Sequence, residues 1–157
     1  MHARSLRSRA RGAAALLGIV TAIAAGAVAA AGDYRSIAED GTLLYDAPST
    51  KAKRMFVASR YYPVEIMVNI DQWARVRDVA GDLVWVEKKA LAALRTVVVT
   101  AASAEVRDKP ADDAAIVFRA QKGVALEFAE ANGAGWARVR HRDGQGGFVR
   151  INQVWGL

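Results

Sequence analysis

The 157-residue sequence contains no cysteine, which excludes disulfide bonds and thiolate-held metal centres. Histidine is almost missing too: His2 and His141 are the only two. A zinc site would therefore need several converging carboxylates, and no acidic residues are spaced for one. No serine, histidine and acid set suggests a nucleophilic triad. Gly144, Gly146 and Gly147 lie within a turn and lack the following helix that a phosphate-binding loop requires. Helical periodicity of useful length is absent after residue 32. These gaps leave no catalytic residue, metal ligand or cofactor to nominate, and a non-enzymatic protein is expected.

Acidic residues are absent before Asp33, whereas Arg4, Arg7, Arg9 and Arg11 crowd the first eleven positions. The formal charge of +6 therefore misleads: of 22 basic residues these four fall in the leader, leaving 18 against 16 acids. The body is close to neutral, so net charge implies no surface for neutralising many phosphates, and nucleic acid is not an expected partner. Residues 13–31 carry no charge and end in small residues, with Ala27-Val28-Ala29 and Ala29-Ala30-Ala31 as cleavage-type triplets. A basic start, an apolar stretch and a small-residue end are the layout of a secretory signal peptide, here over residues 1–31. The alternative is a retained inner-membrane anchor facing the periplasm, since 19 uncharged residues approach the length needed to span. The expected location is the periplasm or outside the cell, with membrane contact only through this segment if it stays uncleaved.

What the remainder has is a repeat. WARVR occurs at Trp73–Arg77 and again at Trp136–Arg140, 63 residues later. Asp46-Ala47-Pro48 faces Asp108-Lys109-Pro110, Phe56 faces Phe118, and Val64-Glu65-Ile66 faces Leu126-Glu127-Phe128, all at an offset of 62. Beyond WARVR the offset is 63, pairing Gly81 with Gly144 and Trp85-Val86 with Phe148-Val149. One residue inserted before the second tryptophan reconciles the two offsets. Each copy spans about 55 residues, small for a domain that must fold alone. The intervening AALRTVVVT (92–100) lacks linker character, so the copies are expected to pack together with little swing.

The copies read as strands. Leu43–Tyr45 and Ala104–Arg107 open them, each followed by a proline turn. Pro63–Val68 alternates in period two, and WARVR sets Trp73, Arg75 and Arg77 against Ala74 and Val76. Asp78–Asp82 and Arg142–Gly147 have hairpin-turn composition. Short strands with closely spaced turns indicate an all-β fold.

These residues resemble the bacterial SH3-like (SH3b) domain, whose pattern runs through a proline turn, Trp-x-x-Val, and a glycine-rich turn before Trp-Val. The first copy supplies Leu44-Tyr45-Asp46-Ala47-Pro48, Trp73–Arg77, Gly81, Trp85-Val86 and Leu91. The second supplies Val106-Arg107-Asp108-Lys109-Pro110, Trp136–Arg140, Gly144, Gly147-Phe148-Val149 and Val154. Three positions depart from it: Val84 stands for a glycine, Tyr45 for an arginine and Phe148 for a tryptophan. The resemblance is greatest to the exported proteobacterial type with two such domains. It implies two tandem small β-barrels, over 34–94 and 97–157, and binding of cell-wall (peptidoglycan) material without catalysis.

Aromatic side chains at the groove of such barrels suit sugar rings and peptide faces. The expected ligand-binding set is Tyr45, Tyr61, Tyr62, Trp73 and Trp85, with Trp136, Phe148 and Trp155 as the second copy's counterparts. Core or rim packing is the competing role for the recurring tryptophans. Tyr61-Tyr62 differs, because the second copy has Gly123-Val124 there and the fold does not require the aromatic pair. The run Lys51-Ala52-Lys53-Arg54, facing Ala111-Asp112-Asp113, is either a solvated loop or a sign that the first copy meets an acidic polymer. An envelope adaptor that binds a protein or peptide partner at a barrel edge is the alternative function. A small envelope hydrolase is a third.

Overall fold

The computed structural model describes residues 32–157, so the signal segment expected over 1–31 lies outside the described residues. The described chain is all β apart from two one-turn 3-10 helices, Lys88–Ala90 and Ile151–Gln153. The first half holds β1 (Tyr34–Ile37), β2 (Thr42–Tyr45), β3 (Arg54–Ala58), β4 (Pro63–Ile70), β5 (Trp73–Arg77), β6 (Leu83–Glu87) and β7 (Leu91–Ala92). The second holds β8 (Thr96–Val99), β9 (Ser103–Arg107), β10 (Ile116–Gln121), β11 (Ala125–Asn132), β12 (Trp136–Arg140), β13 (Gly146–Arg150) and β14 (Val154–Trp155). The sheet orders, β3-β2-β6-β5-β4-β1-β7 and β10-β9-β13-β12-β11-β8-β14, are one topology written twice. Two tandem SH3-like barrels result, as the repeat and the resemblance imply.

Each barrel closes on its own core. Ile37, Leu44, Val64, Val76, Val84 and Val86 fill the first. Val97, Val99, Val106, Leu126, Val139 and Val149 fill the second. Valine dominates because a β-branched side chain packs well on a pleated, half-covered surface. Burying each such side chain contributes about 1.5–3 kcal/mol.

The repeat extends to features no composition reveals. Glu65 stands directly opposite Arg77, and Glu127 opposite Arg140, each pair joined as an ion pair across its hairpin. Bulges recur between Ile66 and Val68 and between Phe128 and Glu130. The inserted residue lies in the hairpin loop before the tryptophan. Ile70 and Trp73 close a loop of Asp71-Gln72, whereas Asn132 and Trp136 close one of Gly133-Ala134-Gly135. Gly135 has φ 84°, the left-handed residue a three-residue hairpin loop uses.

Two expectations need correction. The copies do not open at Leu43 and Ala104, because β1 and β8 precede those strands. Nor is 92–100 a joint: Thr96–Val99 is β8, buried at all four positions, and only residues 93–95 connect the barrels. A strand covered on both faces shows no period-two alternation, so its sequence resembles a plain apolar run. The second covering comes from the first barrel, where β1 and β4 lie against β8.

Candidate functional site

The outer face of β5–β6 gathers three of the five expected ligand residues. Tyr45 stands opposite Trp85 across β2–β6, and its ring meets Trp73 edge-on with centroids 5.5 Å apart. Trp73 and Trp85 are half-buried, with Arg75 opposite Trp85. Tyr45 is only 6% exposed, so its ring, packed against Trp73, offers little to a ligand. Tyr61 and Tyr62 sit elsewhere, at the turn from β3 to β4, lining a cleft between the barrels. Tyr62 also packs on the first core. Burial raises its phenolic pKa above the ordinary 10.0, and the nearby Asp78 charge pushes the same way. The five residues thus form two groups and not one groove.

The second barrel's aromatics also divide. Trp136 is 3% exposed because the Arg150 guanidinium lies over its ring at 4.2 Å. Asp112 holds that guanidinium in place as an ion pair. Trp155 packs edge-on against Tyr34 of the first barrel, centroids 5.4 Å apart. Phe148 opens onto a cleft of about 740 Å³. Phe128, Leu94 and the bare backbone of Gly146-Gly147 add apolar and polar wall, and Arg138, Arg140, Asp108 and Glu127 bring both charge signs. Arg140 donates two hydrogen bonds to Glu127, at 2.8 and 3.0 Å, which fixes its head at the rim. Arg138 reaches Glu130 only at 3.9 Å, leaving most of its donors open.

Two glycines shape this cleft. Gly146 and Gly147 occupy the places of Leu83 and Val84 in the first barrel. Strand alternation puts Gly146 on the outer face beside Phe148, where the first barrel has an exposed Leu83 side chain next to Trp85. Gly147 faces inward, and a Cβ there would lie 2.3 Å from the Arg107 carbonyl oxygen. The missing inner side chain lets β13 settle against β9, and the missing outer one leaves room over Arg140. The sequence shows the contrast of Gly147 with Val84, but its turn-like composition over Arg142–Gly147 does not show that Gly146 and Gly147 open strand β13.

His141 Nδ1 lies 3.0 Å from Asp143, whose carboxyl is held below its ordinary pKa chiefly by the Gln145 backbone N–H. Both belong to the β12–β13 turn. Among the described residues no cluster of three or more His, Asp or Glu could hold a metal, and no helix is long and apolar enough to cross a membrane.

The sequence profile described as bacterial SH3 domain matches residues 38–92 and 100–156, one match per barrel. A search of curated proteins found no match. Among solved structures the chain is similar to NlpC2 from Trichomonas vaginalis, at 15% identity and TM-score 0.35, over 79% of this chain and 48% of that one. It is similar to NlpC1 from the same organism at 17% identity and TM-score 0.35, over 88% and 50%. An NlpC/P60 family protein from Bacillus cereus matches at 15% identity and TM-score 0.36, over 78% and 55%. The chain thus spans about half the length of these proteins.

Proposed function

The chain belongs to the bacterial SH3 domain family, and from that premise we propose that it is a non-catalytic, exported binding module that recognises cell-wall material, peptidoglycan peptide or glycan. The observation that carries this reading is the second-barrel cleft. It sets Phe148 and Phe128 beside Arg138, Asp108 and the Glu127–Arg140 pair in one concavity of about 740 Å³. Aromatic faces suit sugar rings, and paired charges of both signs suit a peptide bearing both ammonium and carboxylate groups. The basic, then apolar, leader supports delivery to the periplasm. Full-length protein incubated with purified sacculi should sediment with them, and a Phe148→Ala/Arg138→Ala variant should sediment less. Retention no greater than that of an unrelated control protein would overturn the reading.

An envelope adaptor is the second reading, favoured by β3. This strand ends its sheet, pairs only with β2, and exposes Met55, Phe56 and Val57, the last at 68%. An unpaired apolar edge is a template for an added strand. Lys51, Lys53 and Arg54 beside it make no ion pair among the described residues, which suits an acidic partner. Copurification of one stoichiometric protein, with no sacculus retention, would favour this reading over the first.

A further inference from the structure

We propose that the cleft between the barrels is a second binding site, built for a small molecule that carries a carboxylate or phosphate beside a ring. The cleft measures about 280 Å³, near the lower end of ligand pockets and matched to a single sugar-sized group. Each barrel contributes one arginine to it, Arg60 from the first and Arg142 from the second. Neither guanidinium makes an ion pair among the described residues. Asp143, next to Arg142 in the sequence, is engaged by His141 and by the Gln145 backbone, and Asp40 accepts the Arg60 backbone N–H at 2.9 Å. Two arginines without ion-pair partners lining one concavity offer donors for an oxyanion.

Tyr61 supplies the ring surface. Its aromatic face lies under the Arg60 guanidinium at 4.8 Å, which holds that arginine at the cleft. The backbone of Tyr61 has φ 69°, where the second barrel uses Gly123 at φ 87°. A side chain in the left-handed region costs roughly 1–2 kcal/mol, and glycine would avoid it. Three hydrogen bonds hold Tyr61 and its neighbour in this state: Tyr61 N–H to the Ile37 carbonyl (2.9 Å), Tyr62 N–H to the Ser59 carbonyl (3.1 Å), and Thr96 Oγ1 to the Tyr61 carbonyl (2.7 Å). The last crosses from one barrel to the other. The turn and its two backbone bonds recur at Gly123 and Val124, which line the same cleft, so the left-handed backbone belongs to the fold. What the first copy adds is a strained aromatic side chain where glycine would serve, and that addition at a charged cleft points to a ligand contact.

The test titrates full-length protein with glucuronic acid, glucose 6-phosphate and glucose, reading the amide shifts of Tyr61 and Val124 by NMR. Saturable shifts with either anionic sugar, or both, and none with glucose are expected, and which anion binds identifies its source. The Arg60→Ala/Arg142→Ala variant should bind at least about tenfold more weakly. Tyr61→Gly separates ligand contact from packing: it should weaken binding while leaving the thermal midpoint unchanged or higher. No saturable shift with either anion, equal shifts with glucose, or variants that bind as the parent does would overturn the proposal. So would a Tyr61→Gly protein that melts lower and binds normally.

Discussion

Thr96 donates its hydroxyl to the Tyr61 carbonyl across 2.7 Å, joining the first strand of the second barrel to the β3–β4 turn of the first. Thr96 is 1% exposed, so the bond is shielded from water. Thr96→Val preserves the side-chain shape and removes the donor, leaving a carbonyl in the seam without its partner. The expected cost is about 1–3 kcal/mol, measured by denaturant unfolding of the full chain. The amides of Tyr61 and Tyr62 should exchange faster with solvent as well. A variant as stable as the parent would mean that this bond does not couple the barrels.

Gly147→Ala tests the close approach of β13 to β9. The added Cβ would lie 2.3 Å from the Arg107 carbonyl and 2.9 Å from Val106 Cγ1, and backbone cannot swing aside as a long side chain can. The strand must shift, at a cost of about 1–3 kcal/mol. The loss should concentrate in the second barrel, read by hydrogen exchange of β12–β13 against β5–β6. Val84 occupies the same place in the first barrel at 2% exposure, so the requirement for glycine belongs to one copy alone.

The architecture was legible because its signals are local and doubled. WARVR alternates at every position, and its outer Arg77 and Arg140 find the glutamates expected to face away from the core. β8 was not legible, since Thr96–Val99 is covered on both faces and alternation carries no information there. The site was harder. Tyr45 stands at a position the family gives to arginine, and only the fold reveals that the phenol ring packs against Trp73. Tyr61 stands out in the sequence as an aromatic with no counterpart in the second copy, but its strained backbone and its arginine neighbours from two barrels are tertiary facts. The Phe148 cleft is not legible in the pattern because the absence of side chains at Gly146 and Gly147 shapes it.

Tyr62 and Tyr34 make part of the stability sensitive to alkaline pH. Burial, foremost, holds both phenols above the ordinary 10.0 in the folded chain, aided at Tyr62 by Asp78 and at Tyr34 by Glu65. The unfolded chain therefore loses these protons first. Their contribution is intact below about pH 10 and disappears as pH rises through the folded values. A Tyr34→Phe/Tyr62→Phe variant should show a shallower fall in stability between about pH 9 and 12 than the parent, measured by urea unfolding at each pH. Identical slopes would mean that the two hydroxyls titrate alike in both states.

Gly146→Leu converts the second barrel's outer face to the first barrel's, and so asks what the cleft is for. The position has no left-handed φ, so leucine meets no backbone penalty there. Its Cβ would lie 3.2 Å from the Val139 carbonyl, a tight contact that a shift of a few tenths of an ångström relieves. The rest of the side chain would extend over Arg140 beside Phe148, as Leu83 does over Arg77 beside Trp85. Stability should change by no more than about 1 kcal/mol, since the side chain lies outside the core. Sacculus retention should fall to the level of Phe148→Ala/Arg138→Ala, because the volume that would admit a sugar or peptide is filled. If retention survives while the fold is unchanged, wall binding does not use the second barrel, and the tryptophan face of the first, where Leu83 already closes the equivalent space, becomes the surface to mutate.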